Sequence, residues 1–351
     1  MTAAIAVVVV THDSAGHVAD TLGALVPQLR DGDELIVVDN GSRDATVAAV
    51  RAAAPQAWIV EQDNRGFAGG AVAGAAVAAA PLLLFLNPDA RPAAGCLDEL
   101  RRVAEARPRW GAWQALVTMD GGATINTAGN VTHFLGMGWA GRCGRPVAEA
   151  PTEPVEVSFA SGAALAVRRE AWERTGGFDE RYFMYCEDLD LCLRLWLAGW
   201  AVGIAPAARV EHDYDFEKGG RKWFLLERNR WWTILADYPG ALLLLLAPAL
   251  LAAELALLGV AARGGWLRQK LRAQGAVAAA LPAMLARRRE VQATREIGAA
   301  TFARRLTADL DSPYLGPLAE IAPVAAAQRA YWAVVVRLLG AAPGFRRKQQ
   351  H

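Results

Sequence analysis

The sequence predicts an α/β fold with a mostly parallel sheet flanked by helices, followed by a helical C-terminal region. Two observations predict it. Over the first ninety residues, short apolar runs alternate with helical patterns, as they do in a parallel α/β sheet. Beyond residue 240, long apolar and basic stretches replace this alternation. The 351 residues are enough for two parts, and the change of character places these at residues 1–238 and 239–351.

Strands of the first ninety residues are predicted from short apolar runs of the kind that a sheet buries on both faces. The second and fourth runs each precede an acidic residue. A helix is predicted after the first run, because apolar residues recur on one helical face. A further helix is predicted from composition at residues 71–80. The four strand runs are residues 5–10, 35–38, 58–60 and 82–86, and the face of the first helix carries Val18, Leu22, Leu25, Val26 and Leu29.

The middle of the chain is less regular. Residues 110–157 are rich in Gly and Thr and weakly patterned, so loops and short strands are expected there. Residues 164–167 form a short apolar run that predicts a strand. Beyond it, an apolar stripe that begins at Leu189 predicts a helix that stops at Gly199.

The C-terminal region begins with an uncharged run of thirteen residues, 241–253, followed by Glu254 and a second apolar run. Four tryptophans flank these runs, as in an interfacial aromatic belt. A mid-span glutamate is costly in hydrocarbon, so we expect a helix that lies in or dips into the bilayer surface. The alternatives are a membrane-spanning helix and a helix docked on the catalytic domain or on a dimer partner. The tryptophans are Trp223, Trp231, Trp232 and Trp266.

Charge is distributed unevenly. Ten Lys and Arg against two acids give residues 263–305 a charge of +8, whereas residues 1–262 carry −9. An acidic body with a basic, Ala- and Leu-rich tail favours an anionic membrane surface as the partner, and no nucleic acid. The four cysteines form no CxxC pair and the N-terminus lacks a basic signal-peptide region. We therefore expect a cytoplasmic protein, peripheral to the inner face of the cell membrane.

Polar residues stand where three predicted strands end. Thr11 and Asp13 follow the first strand, Asp39 follows the second and Asp89 follows the fourth. Ligands of open α/β sheets bind beyond the carboxyl ends of the strands, so these side chains are expected to line one crevice. Taken singly, Asp13 and Asp39 could cap helices. Their occurrence together with Asp89 favours the ligand site.

Two short motifs are suited to a diphosphate. In Asn87-Pro88-Asp89, a carboxylate at a rigid strand end could hold a hard divalent ion, although the tripeptide is also an ordinary turn. The turn with Asn64, Arg65 and Gly66 combines glycine, a cation and a following helix, which favours phosphate. It is neither a Walker loop nor a GxGxxG fingerprint, which argues against P-loop NTPases and nicotinamide dehydrogenases.

The densest motif runs from residue 176 to 191. It places Glu187 and Asp188 at the start of a helix, behind the aromatic segment Tyr-Phe-Met-Tyr. Acids in a first helical turn are also stabilised by the helix dipole, which is the alternative explanation. His212 follows a strand-like segment at a place where a second metal ligand could return to the site.

Together these motifs resemble family 2 glycosyltransferases, an inverting group with the GT-A fold, and most of all its rhamnosyltransferase-like branch. The resemblance covers about residues 4–235. Val-Val-Asp-Asn-Gly-Ser-Arg-Asp resembles the nucleotide-binding strand end, and Asn-Arg-Gly-Phe-Ala-Gly-Gly resembles the second nucleotide-binding turn. Asn-Pro-Asp stands at the place of the Asp-x-Asp motif, and the segment from Gly176 to Leu191 resembles the acceptor-side motif. The chain departs from the family at Val72, where the glycine-rich turn ordinarily continues to an asparagine.

The resemblance implies roles for these residues. Asp39 would contact the base or ribose, and Asp89 and His212 would hold Mg²⁺ or Mn²⁺. Asn87 would replace the first carboxylate of the metal motif. Asp188 is implied as the general base, with Glu187 as the other catalytic candidate. The nucleotide-sugar site would comprise Thr11, Asp13, Asp39, Asn64, Arg65, Gly66, Asn87 and Asp89.

We therefore predict an inverting, metal-dependent hexosyltransferase of cell-envelope polysaccharide synthesis. Its donor would be a nucleotide diphosphate sugar, with dTDP-rhamnose as first candidate, and its acceptor a glycan or lipid-linked sugar. The alternatives are a galactofuranosyl- or hexosyltransferase that uses a UDP-sugar, and a catalytically inactive fold that serves as a membrane scaffold. A nucleotidyltransferase is disfavoured, because residues 7–16 contain no Lys or Arg.

Overall fold

The computed structural model describes residues 3–213, 219–310 and 322–341. Within these residues the chain forms two compact units. The first comprises residues 1–130, 140–195 and 200–216, and the second comprises residues 131–139, 196–199 and 217–351. The predicted domain boundary at residue 238 stays a prediction.

A mixed sheet with helices packed on it forms the first unit. Four strands run parallel in the order β3 (Trp58–Glu61), β2 (Glu34–Asp39), β1 (Ile5–Thr11) and β4 (Leu82–Leu86). β11 (Ala164–Arg168) lies antiparallel to β4 and joins this group to the rest of the sheet. The predicted α/β fold with a mostly parallel sheet is confirmed.

The other half of the sheet is built around two long strands. β6 (Trp110–Met119) pairs antiparallel with β11 and parallel with β12 (Ala201–Glu211). Three short strands complete this half: β5 (Arg91–Pro92) and β10 (Val155–Glu156) on β12, and β7 (Thr124–Thr127) on β6. A separate pair consists of β8 (Asn130–Thr132) and β9 (Gly138–Ala140).

Apolar side chains explain the parallel strands. Every residue of β1 and β4 is buried, as expected for strands covered on both faces. Helices that connect or cover the strands are α1 (Val18–Leu25), α2 (Thr46–Ala53), α3 (Gly66–Val77), α4 (Cys96–Ala106), α5 (Arg169–Thr175) and α6 (Glu187–Leu197).

The expectation of loops and short strands across residues 110–157 was wrong for β6, a ten-residue strand whose first nine residues are buried. Its Gly111, Gln114 and Thr118 obscure the apolar pattern. Gln114 is tolerated inside the sheet because its amide donates to the Ala115 carbonyl at 3.0 Å and accepts from the Ser161 N–H at 2.9 Å. A buried polar group that is hydrogen-bonded costs little.

The helix predicted at residues 71–80 begins five residues earlier and ends three residues earlier, as α3. It starts in the glycine-rich turn, which composition alone scores as a poor helix former. It ends because the N–H groups of Ala79 and Ala80 turn to the carboxylate of Glu34, and Pro81 follows.

The second unit is helical. Its described helices are α7 (Gly219–Asp237), α8 (Gly240–Arg263), α9 (Leu267–Ala293), α10 (Ala299–Ala303) and α11 (Ala322–Ala341). Among the residues that the structure describes, α8 is the helix long and apolar enough to cross a membrane. The three predicted placements of this helix stay predictions.

Candidate active site

The carboxyl ends of β1 and β2 meet side by side, because Thr11 and Asp39 are partners in the strand register. The Thr11 hydroxyl donates to Asp39 Oδ1 at 3.1 Å, and the Ser42 N–H donates to Asp39 Oδ2 at 3.0 Å. The Ser42 hydroxyl also donates to Asp39. The buried Asp39 side chain therefore accepts hydrogen bonds from Thr11 at the end of β1 and from Ser42 in the loop after β2.

Asp13 braces the same loop from the β1 side. Its N–H donates to Ser42 Oγ at 2.9 Å, and its carboxylate accepts the Arg43 N–H at 2.7 Å. Neither Asp13 nor Asp39 caps α1 or α2, since the N-cap positions of these helices are His17 and Ala45 and the two carboxylates bond other groups. The helix-cap explanation therefore does not account for these two acids.

A cleft of about 480 Å³ opens over these strand ends. Asp13 and Asn64, both predicted from the sequence, line it. The sequence reasoning missed four further lining residues, although each stands inside or beside a quoted motif. They are His12, Gly41, Arg43 and Asp63.

The second predicted turn is joined to the first loop. Asn64 Oδ1 accepts the Gly66 N–H at 2.9 Å, and Asn40 Nδ2 donates to the Gly66 carbonyl at 2.8 Å. Gly66 has φ of +74°. A Cβ there would lie 2.1 Å from the carbonyl oxygen of Phe183, so this turn requires glycine.

The same turn contacts the acceptor-side motif. The Phe183 carbonyl accepts the Ala68 N–H at 3.2 Å, and Arg65 forms an ion pair with Glu180. Arg65, predicted to meet phosphate, is therefore engaged by an acid from the other motif. Glu180 is the partner that sequence reasoning missed, because 115 residues separate the two.

Asp89 and His212 come together as the sequence reasoning required. Asp89 Oδ1 lies 3.1 Å from His212 Nε2, with the imidazole buried and the carboxylate partly exposed. Asn87 precedes them at the end of β4, where its N–H donates to the Ala163 carbonyl at 3.0 Å. A carboxylate and an imidazole are a donor set that divalent Mn²⁺ or Mg²⁺ accepts. The described residues contain no group of three such ligands.

Glu187 and Asp188 begin α6 but have different surroundings. Asp188 Oδ2 accepts the Gly162 N–H at 3.0 Å, and its Oδ1 accepts the Leu189 N–H at 2.8 Å. Glu187 is buried, and no donor among the described residues reaches its Oε2. Burial raises the pKa of both carboxyl groups, and the charge of Asp188 raises that of Glu187 further.

Three residues ahead of this pair have positive φ although none is glycine: Phe183 at +65°, Tyr185 at +71° and Cys186 at +65°. Such conformations are uncommon for bulky residues and cluster at functional sites. The described contacts thus form three groups: a cleft at β1 and β2, the Asp89–His212 pair, and the two acids of α6.

A mixed sheet with these groups beyond its strand ends defines the class of fold, which is GT-A. The chain resembles residues 1–349 of Staphylococcus aureus TarS in complex with UDP-GlcNAc, with a TM-score of 0.54 at 13% identity, covering 98% of this chain and 93% of that one. It also resembles GalNAc-T7 with UDP, GalNAc and Mn²⁺, with a TM-score of 0.53 at 14% identity, covering 68% and 49%. At these identities the likeness shows the fold alone.

Sequence comparison identifies the family. The model of glycosyl transferase family 2 matches residues 6–175. N-acetylglucosaminyl-diphospho-decaprenol L-rhamnosyltransferase of Mycobacterium tuberculosis is 32% identical over 242 residues, 62% of this chain and 79% of that protein. A rhamnosyltransferase of Escherichia coli is 48% identical over 56 residues, 16% and 21% of the two chains. The chain belongs to family 2 of the glycosyltransferases, and within it to the rhamnosyltransferase-like branch.

Proposed function

We propose that this glycosyltransferase is inverting and metal-dependent, and that it transfers L-rhamnose from dTDP-rhamnose to a lipid-linked glycan acceptor in cell-envelope polysaccharide synthesis. One observation carries the mechanism: the two buried acids at the start of α6 differ in their hydrogen bonds. The sugar and the acceptor class are supported by the name of the mycobacterial relative, and dTDP as the nucleotide is the expectation from the sequence motifs.

Asp188 is the general base of this proposal. Two backbone N–H groups stabilise its anion, whereas Glu187 Oε2 has no donor among the described residues. When two neighbouring carboxyl groups are buried, the one with fewer donors takes the first proton. Glu187 is then neutral, and its proton can orient an acceptor hydroxyl. Asp188 remains ionised, with a pKa that burial brings towards the working pH of a base.

The proposed transfer is a single displacement at the anomeric carbon. The acceptor hydroxyl oxygen bonds to the anomeric carbon from the face opposite the diphosphate, and the bond from that carbon to the phosphate oxygen breaks. The hydroxyl proton passes to the Asp188 carboxylate. The nucleoside diphosphate leaves with the electron pair of the broken bond, so that one displacement inverts the anomeric centre.

Asp89 and His212 would hold the divalent ion. When bound, such an ion supplies positive charge to the leaving diphosphate. Their side chains fit this task, because the pair is already 3.1 Å apart and phosphate oxygens complete a coordination shell to which the protein gives two ligands.

The donor nucleotide would occupy the cleft at β1 and β2. Asp39 is surrounded by donors and held against Thr11, which suits contact with a base or ribose at a fixed position. Arg43 and Asn64 line the same cleft. Arg65 reaches phosphate in this proposal by exchanging Glu180 for the diphosphate.

The acceptor places the enzyme at the cytoplasmic face of the membrane, where lipid-linked sugars lie. A catalytically inactive scaffold is the alternative function. The enzyme is favoured by buried Asp39 and His212, by the contact of Asp89 with His212, and by the hydrogen-bonded carboxylate of Asp188.

A panel of nucleotide sugars tests the donor. Purified protein is incubated with dTDP-rhamnose, UDP-galactofuranose and UDP-hexoses with Mg²⁺ or Mn²⁺, and nucleotide release and thermal stabilisation are measured. We expect the largest response with dTDP-rhamnose, and competition by dTDP stronger than by UDP. A preference for UDP contradicts rhamnose as the sugar, and no turnover with any donor and acceptor supports the scaffold.

The metal ligands are tested by Asp89→Ala and His212→Ala. Metal-dependent donor binding should be lost in Asp89→Ala and weakened less in His212→Ala, because one ligand and the phosphates remain. Donor affinity is measured by calorimetry with and without Mn²⁺. Equal affinity of Asp89→Ala and wild type in Mn²⁺ would remove Asp89 from the metal site.

A further inference from the structure

The second unit exposes apolar side chains to an unusual degree. Nine of the eleven large hydrophobic side chains that are exposed in the described residues belong to it. They are Leu244, Leu251 and Leu255 on α8, Leu271, Leu281 and Leu285 on α9, and Val324, Val334 and Leu338 on α11. Large exposed apolar surfaces mark interaction sites.

Within the second unit, the most exposed of these side chains lie on one side of α8. Leu244, Leu251 and Leu255 are 64–77% exposed and recur at helical spacing. The remaining exposed residues between positions 241 and 262 are alanine, proline or glycine. We call this surface the α8 stripe. The opposite side packs inward through Leu242, Leu246 and Leu250.

Glu254, the one charged residue between positions 241 and 262, is turned away from the stripe. Its carboxylate forms ion pairs with Arg230 of α7 and, at 2.6 Å, with Lys270 of α9. Glu227 binds the same two cations, and the Gln274 amide donates to Glu254 at 2.6 Å. Two acids and two bases thus neutralise each other beneath α8.

This cluster explains how a glutamate can interrupt the apolar run. A helix that crossed hydrocarbon by itself would carry Glu254 unpaired, at high cost. Here α8 keeps Glu254 paired only by remaining packed on α7 and α9. α8 has 24 residues and is about 36 Å long. Because α8 stays packed on α7 and α9, the α8 stripe remains exposed along the helix.

The positive charge beside the α8 stripe indicates which partner covers it. Arg263, Arg268 and Arg272 are exposed just beyond the C-terminal end of the stripe. The positive segment 263–305 would repel an identical segment in a second copy, whereas anionic headgroups attract it.

We infer that the α8 stripe is a membrane-docking surface: the helix lies flat on an anionic bilayer, with the stripe facing the acyl chains and the arginines among the headgroups. This deepens the membrane location given under the proposed function. Docking requires no sugar donor, so its failure and the failure of the glycosyl transfer are distinguishable.

Vesicle flotation with the full chain tests the inference. The probes are phosphatidylcholine vesicles with and without phosphatidylglycerol. The triple variant Leu244→Ser, Leu251→Ser, Leu255→Ser should bind anionic vesicles about 100-fold more weakly than wild type, because three apolar side chains no longer leave water. The control Trp58→Ser removes an apolar side chain of the first unit that is 57% exposed, and this variant should bind normally. Wild-type binding by the folded triple variant overturns the inference.

Two further measurements separate the other occupants. Arg263→Gln with Arg268→Gln should lower affinity about tenfold for anionic vesicles only. Wild-type protein should be released from membranes by alkaline carbonate, and resistance to release would show a spanning helix instead. Light scattering gives the oligomeric state: a dimer that the triple variant converts to monomer, with no vesicle binding by wild type, assigns the stripe to a second copy. Circular dichroism and donor binding confirm that each variant is folded.

Discussion

Two segments of the first unit differ in how strongly burial affects their acids. In the loops that follow β1 and β2, Asp13, Asp39 and Asp44 each accept hydrogen bonds from neighbouring hydroxyl or N–H groups. The hydroxyl of Thr46 lowers the pKa of Asp44. In the segment 179–188, by contrast, burial raises the pKa of Glu187 and Asp188. Three non-glycine residues there adopt positive φ, against Asp13 alone in the first loops.

Under the proposed function, this difference separates nucleotide binding from catalysis. A site that holds a nucleotide gains from satisfied, rigid groups, whereas a base is useful only if its proton affinity is high enough. In that proposal the first loops are a frame for the nucleotide, and the segment 179–188 combines desolvated acids with backbone strain at Phe183, Tyr185 and Cys186. The two segments are connected through the turn at Gly66. Asn40 donates to the Gly66 carbonyl, Gly66 lies against the Phe183 backbone, and Arg65 pairs with Glu180.

The largest effect is expected at the base. Asp188→Asn keeps the shape of the side chain and removes its basicity, so turnover should fall by about 10²–10⁴-fold with donor affinity nearly unchanged. Glu187→Gln keeps the neutral state proposed for Glu187 and should retain most of the turnover. Initial rates and donor affinity of both variants are compared at one pH. Near-normal turnover in Asp188→Asn with collapse in Glu187→Gln would make Glu187 the base.

The connection between the two segments is tested by Gly66→Ala. Alanine at a φ of +74° costs about 1–2 kcal/mol, and the contact with the Phe183 backbone adds about 1–3 kcal/mol of overpacking. Gly95→Ala is the matched control, because Gly95 has φ of +78° and open space around its Cβ position. Denaturant unfolding and acceptor KM are measured. Equal destabilisation of the two variants would show that the Phe183 backbone moves away from the added methyl group at no cost.

The frame for the nucleotide is tested by Ser42→Ala, which removes a donor from Asp39 and an acceptor from the Asp13 N–H. Donor affinity should fall by about tenfold, since the two lost hydrogen bonds are each worth about 0.5–1.5 kcal/mol, with turnover at saturating donor unchanged. Thr175→Ala, which removes a hydroxyl bonded to the Ala171 carbonyl at 2.8 Å, is the control for stability. A fall in saturated turnover in Ser42→Ala would mean that frame and chemistry are not separable.

The smallest effect concerns pH. The pKa of Glu187 is higher in the folded chain than its ordinary value, so the native state binds this proton more tightly than the unfolded state does. Its contribution to stability is therefore present at low pH and is lost as pH rises from about 4.5 towards the folded pKa. Glu187→Gln should gain melting temperature over wild type as pH increases from acid to neutral. The exposed acid Glu105→Gln should show no such trend. Parallel melting curves for Glu187→Gln and wild type would mean that Glu187 is charged in the native state.

Whether a feature could be predicted from the sequence depends on how far apart along the chain its interacting residues lie. β1 and β4 are continuous apolar runs, so their positions could be read directly, and the acids beyond them followed. The pairing of Asp89 with His212 could be expected because both stand at strand ends. β6 was missed because Gln114 interrupts its apolar pattern. The Ser161 N–H that donates to the Gln114 side chain is brought near only by the fold.

The rest of the site depends on tertiary contacts with no local signal. The Glu180 partner of Arg65 lies 115 residues away. The missing donor at Glu187 Oε2 and the left-handed conformation of Phe183 leave no trace in composition or periodicity. Motif reading found residues that the fold brings close together, such as Asp89 and His212, and it could not find which of the two neighbouring acids of α6 lacks a hydrogen-bond donor.

The sheet order also has a consequence for biosynthesis. β3, β2, β1 and β4 can pair as soon as residue 86 has left the ribosome, so the nucleotide-side frame can form early. β12 cannot cover β6 until residue 211 has emerged, about 90 residues after β6 itself. Throughout that interval a long, apolar strand edge is open to wrong pairing. Aggregation of nascent chains should therefore be concentrated between these two points of synthesis, and the Asp89–His212 pair is completed last.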